Sequence, residues 1–367
     1  MNSDDPALQR LIDRVQTARA SRTPLRIRGG GTKDFYGEAP VGDLLDVRPL
    51  TGVSSYEPTE LVVTARCGTP LADLEALLAT KGQCLPFEPP HFAAGATVGG
   101  MVCAGLAGPS RASVGCVRDY VLGATLLNGR AEVLSFGGQV MKNVAGYDVS
   151  RLLAGSLGIL GVILEVSLKV LPVATATQTL RFEFDEPTAL TKLNDWGGQP
   201  LPLNASAWWD GALILRLRGA EAAVHAARER LGGEVVEPEH AEPFWAGLRN
   251  HTDEFFGAAH VAVQAGAALW RLSVPQTAPP LKLSGELLVD WGGAQRWLCS
   301  AMPAASVRDA AERAGGHATL FMVRDRTAGA VTCFAPLKPP LDRIHRELKT
   351  SFDPDGVFNP GRLYPGF

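Results

Sequence analysis

The apolar positions of this chain change period several times along its length, and the changes mark its elements. Over residues 6–20, Leu8, Leu11, Ile12 and Val15 share one helical face and predict an amphipathic opening helix. Leu25–Arg28 predicts a short strand that runs into three successive glycines. Leu61–Arg66 predicts another strand, followed by a helix with Thr69 as N-cap, Pro70 at its first position and Gly82 as its stop. Two apolar runs, 121–127 and 131–136, flank Asn128-Gly129 and predict a hairpin with a two-residue turn. Gly161–Val170 predicts a strand that ends at Pro172.

Beyond Pro172 the pattern changes. Leu180–Phe184 predicts a strand, and a helix is expected from Pro187. Ala205–Trp209 and Ala212–Arg218 predict a second hairpin about Asp210-Gly211. Ala220–Leu231 predicts a helix stopped by Gly232-Gly233. Strands are expected at Trp270–Val274, Gly285–Asp290, Trp297–Ala301 and His317–Val323, with helices at Ala304–Ala314 and from Leu341 through Ile344 to Leu348. This alternation predicts an α+β unit with helices on one face of an antiparallel sheet.

Composition narrows the class. The 367 residues have room for two or three domains, and 46% hydrophobic with 20% charged residues is a globular balance. A net charge of −3 without a Lys/Arg run argues against a nucleic-acid partner. The acidic start MNSDDPALQR lacks an apolar core and predicts no secretory signal. The longest uncharged stretches are broken by glycines, so no membrane span is expected. The six cysteines, Cys67, Cys84, Cys103, Cys116, Cys299 and Cys333, have no metal-ligand spacing and read as reduced thiols.

The chemistry concentrates in glycine turns. Arg28-Gly29-Gly30-Gly31-Thr32, Thr97-Val98-Gly99-Gly100 and the run through Gly161, Val162 and Ile163 bring bare backbone close to something, and such turns offer N–H groups to phosphate. Three of them suit a large cofactor containing a diphosphate. No GxGxxG opens a helix after the first strand, so the dinucleotide-binding fingerprint of doubly wound folds is excluded.

RGGGTKDFYG, TVGGMVCAGLAGPSR, SVGCVRDYVLG, KNVAGYDVSRLLAGSLGILGVILE and a terminal FNPGR resemble the vanillyl-alcohol-oxidase, or PCMH, type of FAD-binding domain. KNVAGYD and LWRLSVP make the chain similar to the family of FAD-binding E subunits of bacterial glycolate oxidases. The resemblance implies a two-subdomain FAD-binding domain over 1–172, an α+β cap over 173–335, and a tail, 336–367, returning to the flavin domain. It implies FAD contacts from Arg28, Gly29, Gly30, Gly31 and Thr32, from Thr97, Val98, Gly99, Gly100 and Gly105, and from Gly161, Val162 and Ile163. Ser113, Gly115, Arg118 and Asp119 can reach the cofactor too, although Arg118 and Asp119 also read as an ion pair bracing their loop. Histidyl-linked relatives carry a His after the first turn. Lys33-Asp34 stand there in this chain, so the FAD is expected to be noncovalent.

The resemblance further implies a complex that oxidises glycolate to glyoxylate, with a related FAD-binding subunit and an iron–sulfur subunit as partners. The expected location is cytoplasmic, with peripheral attachment to the inner membrane left open. Catalytic relatives carry a His-rich metal motif with a GDGNLH-like run, whereas His317 and His345 stand alone here, so no metal site is expected. Three readings stay open: an FAD subunit in an electron route, a structural or regulatory flavoprotein without turnover, and a self-sufficient 2-hydroxy-acid dehydrogenase. Such an oxidation needs an Arg fork for the carboxylate and a proton acceptor. Arg271 and Arg296, each among aromatics, are the fork candidates, and each also reads as an arginine packed on tryptophan. Tyr147 can supply a phenol, or with Asp148 fix its loop by hydrogen bonds.

Overall fold

The computed structural model describes residues 5–138, 148–326 and 331–367. The opening helix, Pro6–Ser21, begins where Asp5 accepts the Ala7 N–H at 2.8 Å, and it ends at Arg22 in the left-handed region. Its buried face is Leu8, Leu11, Val15 and Ala18. That face packs on Leu25 and Leu45 of two parallel strands, Leu25–Arg28 and Asp43–Asp46.

The C-terminal tail completes this small sheet. Leu25 N–H donates to the Val357 carbonyl at 2.7 Å, and Asn359 N–H donates back to Leu25 at 2.9 Å. The last helix, Leu341–Phe352, is anchored by Lys349, whose buried ammonium meets Asp353 at 2.6 Å and the carbonyls of Ile159 and Phe358 at 2.8 Å each. A second sheet of five antiparallel strands runs in the order Val53–Glu57, Val62–Arg66, Val162–Lys169, Val121–Leu127, Val133–Gly137.

Two local expectations fail for tertiary reasons. Thr69 does not cap the helix Leu71–Ala79; its hydroxyl bridges the N–H and carbonyl of Gly52, each at 3.0 Å. The hairpin at Asn128 closes with Leu127 opposite Val133, leaving a five-residue connection instead of a two-residue turn. There the Asn128 side chain accepts from Arg130 and Glu132, and Gly129 N–H goes to Phe352.

The cap is one eight-stranded antiparallel sheet. Its second hairpin turns at Asp210 and Gly211, with φ of 46° and 80°, the geometry an Asp-Gly pair favours. Helices lie on both faces, not one. Glu186–Gly197, Glu221–Leu231 and Ala304–Arg313 cover the outer face over Leu180, Leu213, Leu215, Trp270 and Leu298. Pro238–Asn250 and Glu254–Gln264 share the inner face with flavin-side residues such as Tyr36 and Leu157. The two parts are joined by Glu88, which meets Arg216 at 2.7 Å and Arg218 at 3.2 Å, and by Trp291 Nε1–H donating to the Gly108 carbonyl at 3.0 Å.

Candidate functional site

The first glycine turn leaves its strand at Arg28, which is held by Asp34 at 2.8 Å. Gly29, Gly30 and Gly31 are glycines because other parts of the chain press on them. A Cβ on Gly30 would stand 1.7 Å from the Gly95 carbonyl oxygen, and one on Gly29 would stand 2.3 Å from Thr97 Oγ1. Gly31 has a φ of 74°. Among the described residues, the N–H groups of Gly29, Gly30, Gly31 and Thr32 donate no hydrogen bond within the chain. Four successive unspent donors on a turn form a cradle for an anion.

The second turn contributes differently. Thr97 caps the helix Val98–Ala104, accepting from Gly100 N–H at 3.2 Å. Val98 N–H donates to Thr69 at 2.9 Å and Gly99 N–H to Cys67 at 2.8 Å, so these donors are already spent. Gly99 supplies close packing on Cys67 instead, while a Cβ on Gly100 would touch only Thr97 Oγ1, at 3.1 Å.

Two clefts run between these turns and share Ile27, Gly29, Gly100, Cys103, Leu157 and Asn359 in their walls. One reaches along Arg28–Asp34 past Thr97, and the other extends over Val47, Cys67 and Gly99 to Gly161, Val162 and Ile163. The structure therefore gathers Arg28–Thr32, Thr97, Gly99, Gly100 and Gly161–Ile163 on one groove. Asn359 and Arg362 also line it, and the FNPGR motif was the signal that could have placed them in the candidate set. Arg362 spends its guanidinium on the carbonyls of Glu38, Lys33 and Asp34.

Other candidates lie elsewhere. Val98 is wholly buried in the core, and Gly105 ends the helix in the left-handed region against Gly155. Ser113 lines a separate cleft beside the cap strand Leu203–Trp209. Gly115 packs on Asp119, which makes no salt bridge to Arg118 among the described residues but lies in the field of its charge. Its carboxylate accepts the Cys116 N–H at 2.8 Å, which holds it below the usual carboxylate range. Tyr147 lies outside the described residues.

Arg296 is no substrate fork. It is 0% exposed, and its donors meet the carbonyls of Gly293, Ala278 and Pro279. Arg271 is half-buried, donates to the Tyr36 hydroxyl at 3.0 Å and keeps other donors open.

The groove walls suit an apolar, diphosphate-bearing guest. Burial pushes the Cys103 thiol up to about 12, so it stands protonated, and burial with the Arg249 charge brings Lys33 down to about 8. Lys33 Nζ sits 5.4 Å from the Phe92 ring centroid. Among the described residues no three His, Cys, Asp or Glu side chains gather as metal ligands, and no helix is long and apolar enough to cross a membrane.

A nest of free amides at the end of a strand, beside a capped glycine helix and an apolar groove, defines a flavoprotein of the PCMH type. Residues 8–137 match the family model described as FAD binding domain. The chain is 49% identical over 356 residues to glycolate oxidase subunit GlcE of Escherichia coli (strain K12), covering 97% of both chains. It is 28% identical over 173 residues to D-lactate dehydrogenase of Anaerostipes hadrus, covering 47% of this chain and 36% of that one. A solved structure of alkyldihydroxyacetonephosphate synthase shares the fold with a TM-score of 0.64 at 15% identity, over 96% of this chain and 75% of that chain. The chain belongs to the PCMH-type FAD-binding family that includes the Escherichia coli subunit, an oxidoreductase family, and its cofactor is FAD.

Proposed function

We propose that this chain is the FAD-binding subunit of a heteromeric glycolate oxidase, and that it does not oxidise glycolate by itself. A related flavin subunit and an iron–sulfur subunit complete the complex in this reading. The division is 1–172 for the FAD-binding domain, 173–335 for the cap and 336–367 for the tail. Similarity across 97% of both chains supports the assignment to such a complex. The amides of Gly29–Thr32 would hold the pyrophosphate, and Gly161–Ile163 would wall the groove's other end. When bound, FAD supplies a two-electron acceptor.

The observation that carries the accessory reading is the packing between the first turn and the cap. Tyr36, His251, Phe256, Trp297 and Phe321 meet ring to ring there, with Phe256 and Phe321 0% exposed. His251 stacks on Phe256 at 3.8 Å and is held neutral, well below its ordinary value, by burial and by the His260 and Arg271 charges. Arg271 is engaged by Tyr36, whose phenol is kept protonated by burial. Oxidation of a hydroxy acid needs a fork and a proton acceptor facing one open space beside the flavin. This packing leaves none between Arg271 and His251, and the cavity that Arg271 shares with His317 has no wall residue in common with the glycine-lined groove.

One observation favours the self-sufficient dehydrogenase as a second reading: His251 Nδ1 is buried without a hydrogen-bond partner, as a resting general base would be. Glycolate-dependent dye reduction by the FAD-loaded chain, alone and with co-expressed partner subunits, tests the proposal. Activity only with partners is the expected result. Full activity alone, lost in His251→Asn, would establish the second reading.

A further inference from the structure

A cavity of ≈ 800 Å³ opens between the edge strand His317–Val323, the helix Ala304–Arg313 and the segment 334–338, and it shares no wall residue with the glycine-lined groove. Two guanidinium groups reach it from different elements. Arg271 comes from the strand Ala268–Ser273 and makes one hydrogen bond, to Tyr36. Arg308 comes from the helix; its Nη2 donates to the Thr332 and Phe334 carbonyls, and its Nε is buried without a partner. Neither arginine has an ion-pair partner among the described residues. Glu312 on the same wall is taken by Lys338; His317 and the exposed Asp309 also line the cavity, and Asp309 is in no ion pair with either arginine. Phe334 and Leu337 supply an apolar wall. Half-buried cations without a counter-charge are costly, and an anion carrying a carbon body relieves that cost.

We propose that this cavity binds a small organic carboxylate, held by the open donors of Arg271 and Arg308 with its carbon atoms against Phe334 and Leu337. The site is separate from the FAD groove but joined to it, because Arg271 also holds Tyr36, four residues beyond Thr32. The inference rests on the proposed function only in that the bound acid is not oxidised there.

Calorimetric titration of the FAD-loaded chain with sodium glycolate and with sodium malonate, against matched sodium chloride, tests it. Saturable binding of at least one acid is expected, weakened about tenfold or more in Arg308→Gln with FAD content unchanged. Should Arg308→Gln fail to fold, Arg271→Lys keeps the charge but not the fork, and carries the same expectation. No saturable heat, or wild-type affinity in the folded variants, overturns the site. Following the flavin absorbance in the same titration separates the two proposals. Binding with bleaching keeps the site and ends the accessory reading, whereas neither binding nor bleaching ends the site and keeps the accessory reading.

Discussion

Replacing Gly30 and Gly100 by alanine, one at a time, separates packing of the turns from contact with FAD. At Gly30 the new Cβ would lie 1.7 Å from the Gly95 carbonyl oxygen and 2.5 Å from its carbon, both backbone atoms that cannot rotate away. The two loops must part by roughly 1.5–2 Å to regain van der Waals separation. Overpacking of this kind costs about 1–3 kcal/mol, here toward the upper end because the wall is main chain. The displacement also tilts the four free amides, and each hydrogen bond to a charged phosphate is worth about 1.5–3 kcal/mol. Loss of one such bond weakens FAD roughly 10- to 150-fold. At Gly100 the Cβ meets only Thr97 Oγ1 at 3.1 Å, and alanine inside a helix is favoured by about 0.5–1 kcal/mol. Gly30→Ala should therefore lower both the apoprotein melting temperature and FAD affinity. Gly100→Ala should leave the apoprotein as stable as before and lose FAD affinity alone. Thermal melts of the apoprotein and flavin-fluorescence titrations measure both. Wild-type FAD binding in Gly100→Ala would refute cofactor contact at that turn, and an unaffected Gly30→Ala would refute the packing of the cradle.

Three further outcomes follow from the buried charges. Glu88→Gln strands Arg216, 4% exposed, and should cost about 3–5 kcal/mol in urea unfolding. Burial raises the Glu88 carboxyl, but Arg216 and Arg218 outweigh it and hold it below its ordinary value, so its stabilisation is present above the unfolded pKa and is lost only as pH falls through the lower folded value. Asp290 is pushed up to about 8 by burial, so the folded state keeps a proton the unfolded state has lost; stability should fall from about pH 4 to 8, and Asp290→Asn should flatten that slope in thermal melts. Arg296→Ala, which leaves the Ala278, Pro279 and Gly293 carbonyls without their donor, should destabilise by about 2–4 kcal/mol while FAD affinity, read by fluorescence, stays unchanged.

Much of the fold was legible because local signals agreed with the tertiary outcome. The Asp210-Gly211 turn, the Gly232 helix stop and the Leu8–Val15 face appear as the pattern predicts. Asn128-Gly129 misleads because the Asn128 side chain accepts the Arg130 and Glu132 amides, and Gly129 N–H is claimed by the carbonyl of Phe352, a residue more than two hundred positions away. Pro238–Asn250 went unread because Pro243 interrupts its pattern, and Glu254–Gln264 went unread despite Asp253, its N-cap. Glycine composition marked the groove but not how its turns work. Only the hydrogen bonds show that Gly99 spends its N–H on Cys67 while Gly29–Thr32 keep theirs. Arg271 and Arg296 looked alike in sequence, each beside a tryptophan. Burial by the 278–279 segment, which no local pattern encodes, sets them apart.

Anaerobic stopped-flow mixing of the FAD-loaded chain with glycolate, recorded at the flavin band with and without the partner subunits, reaches the central claim most directly. An FAD-binding subunit that depends on its partners predicts an unchanged oxidised spectrum in the chain alone and bleaching in the complex. Fast, saturable bleaching of the isolated chain, abolished in Arg271→Ala, would contradict it and make this chain a dehydrogenase in its own right.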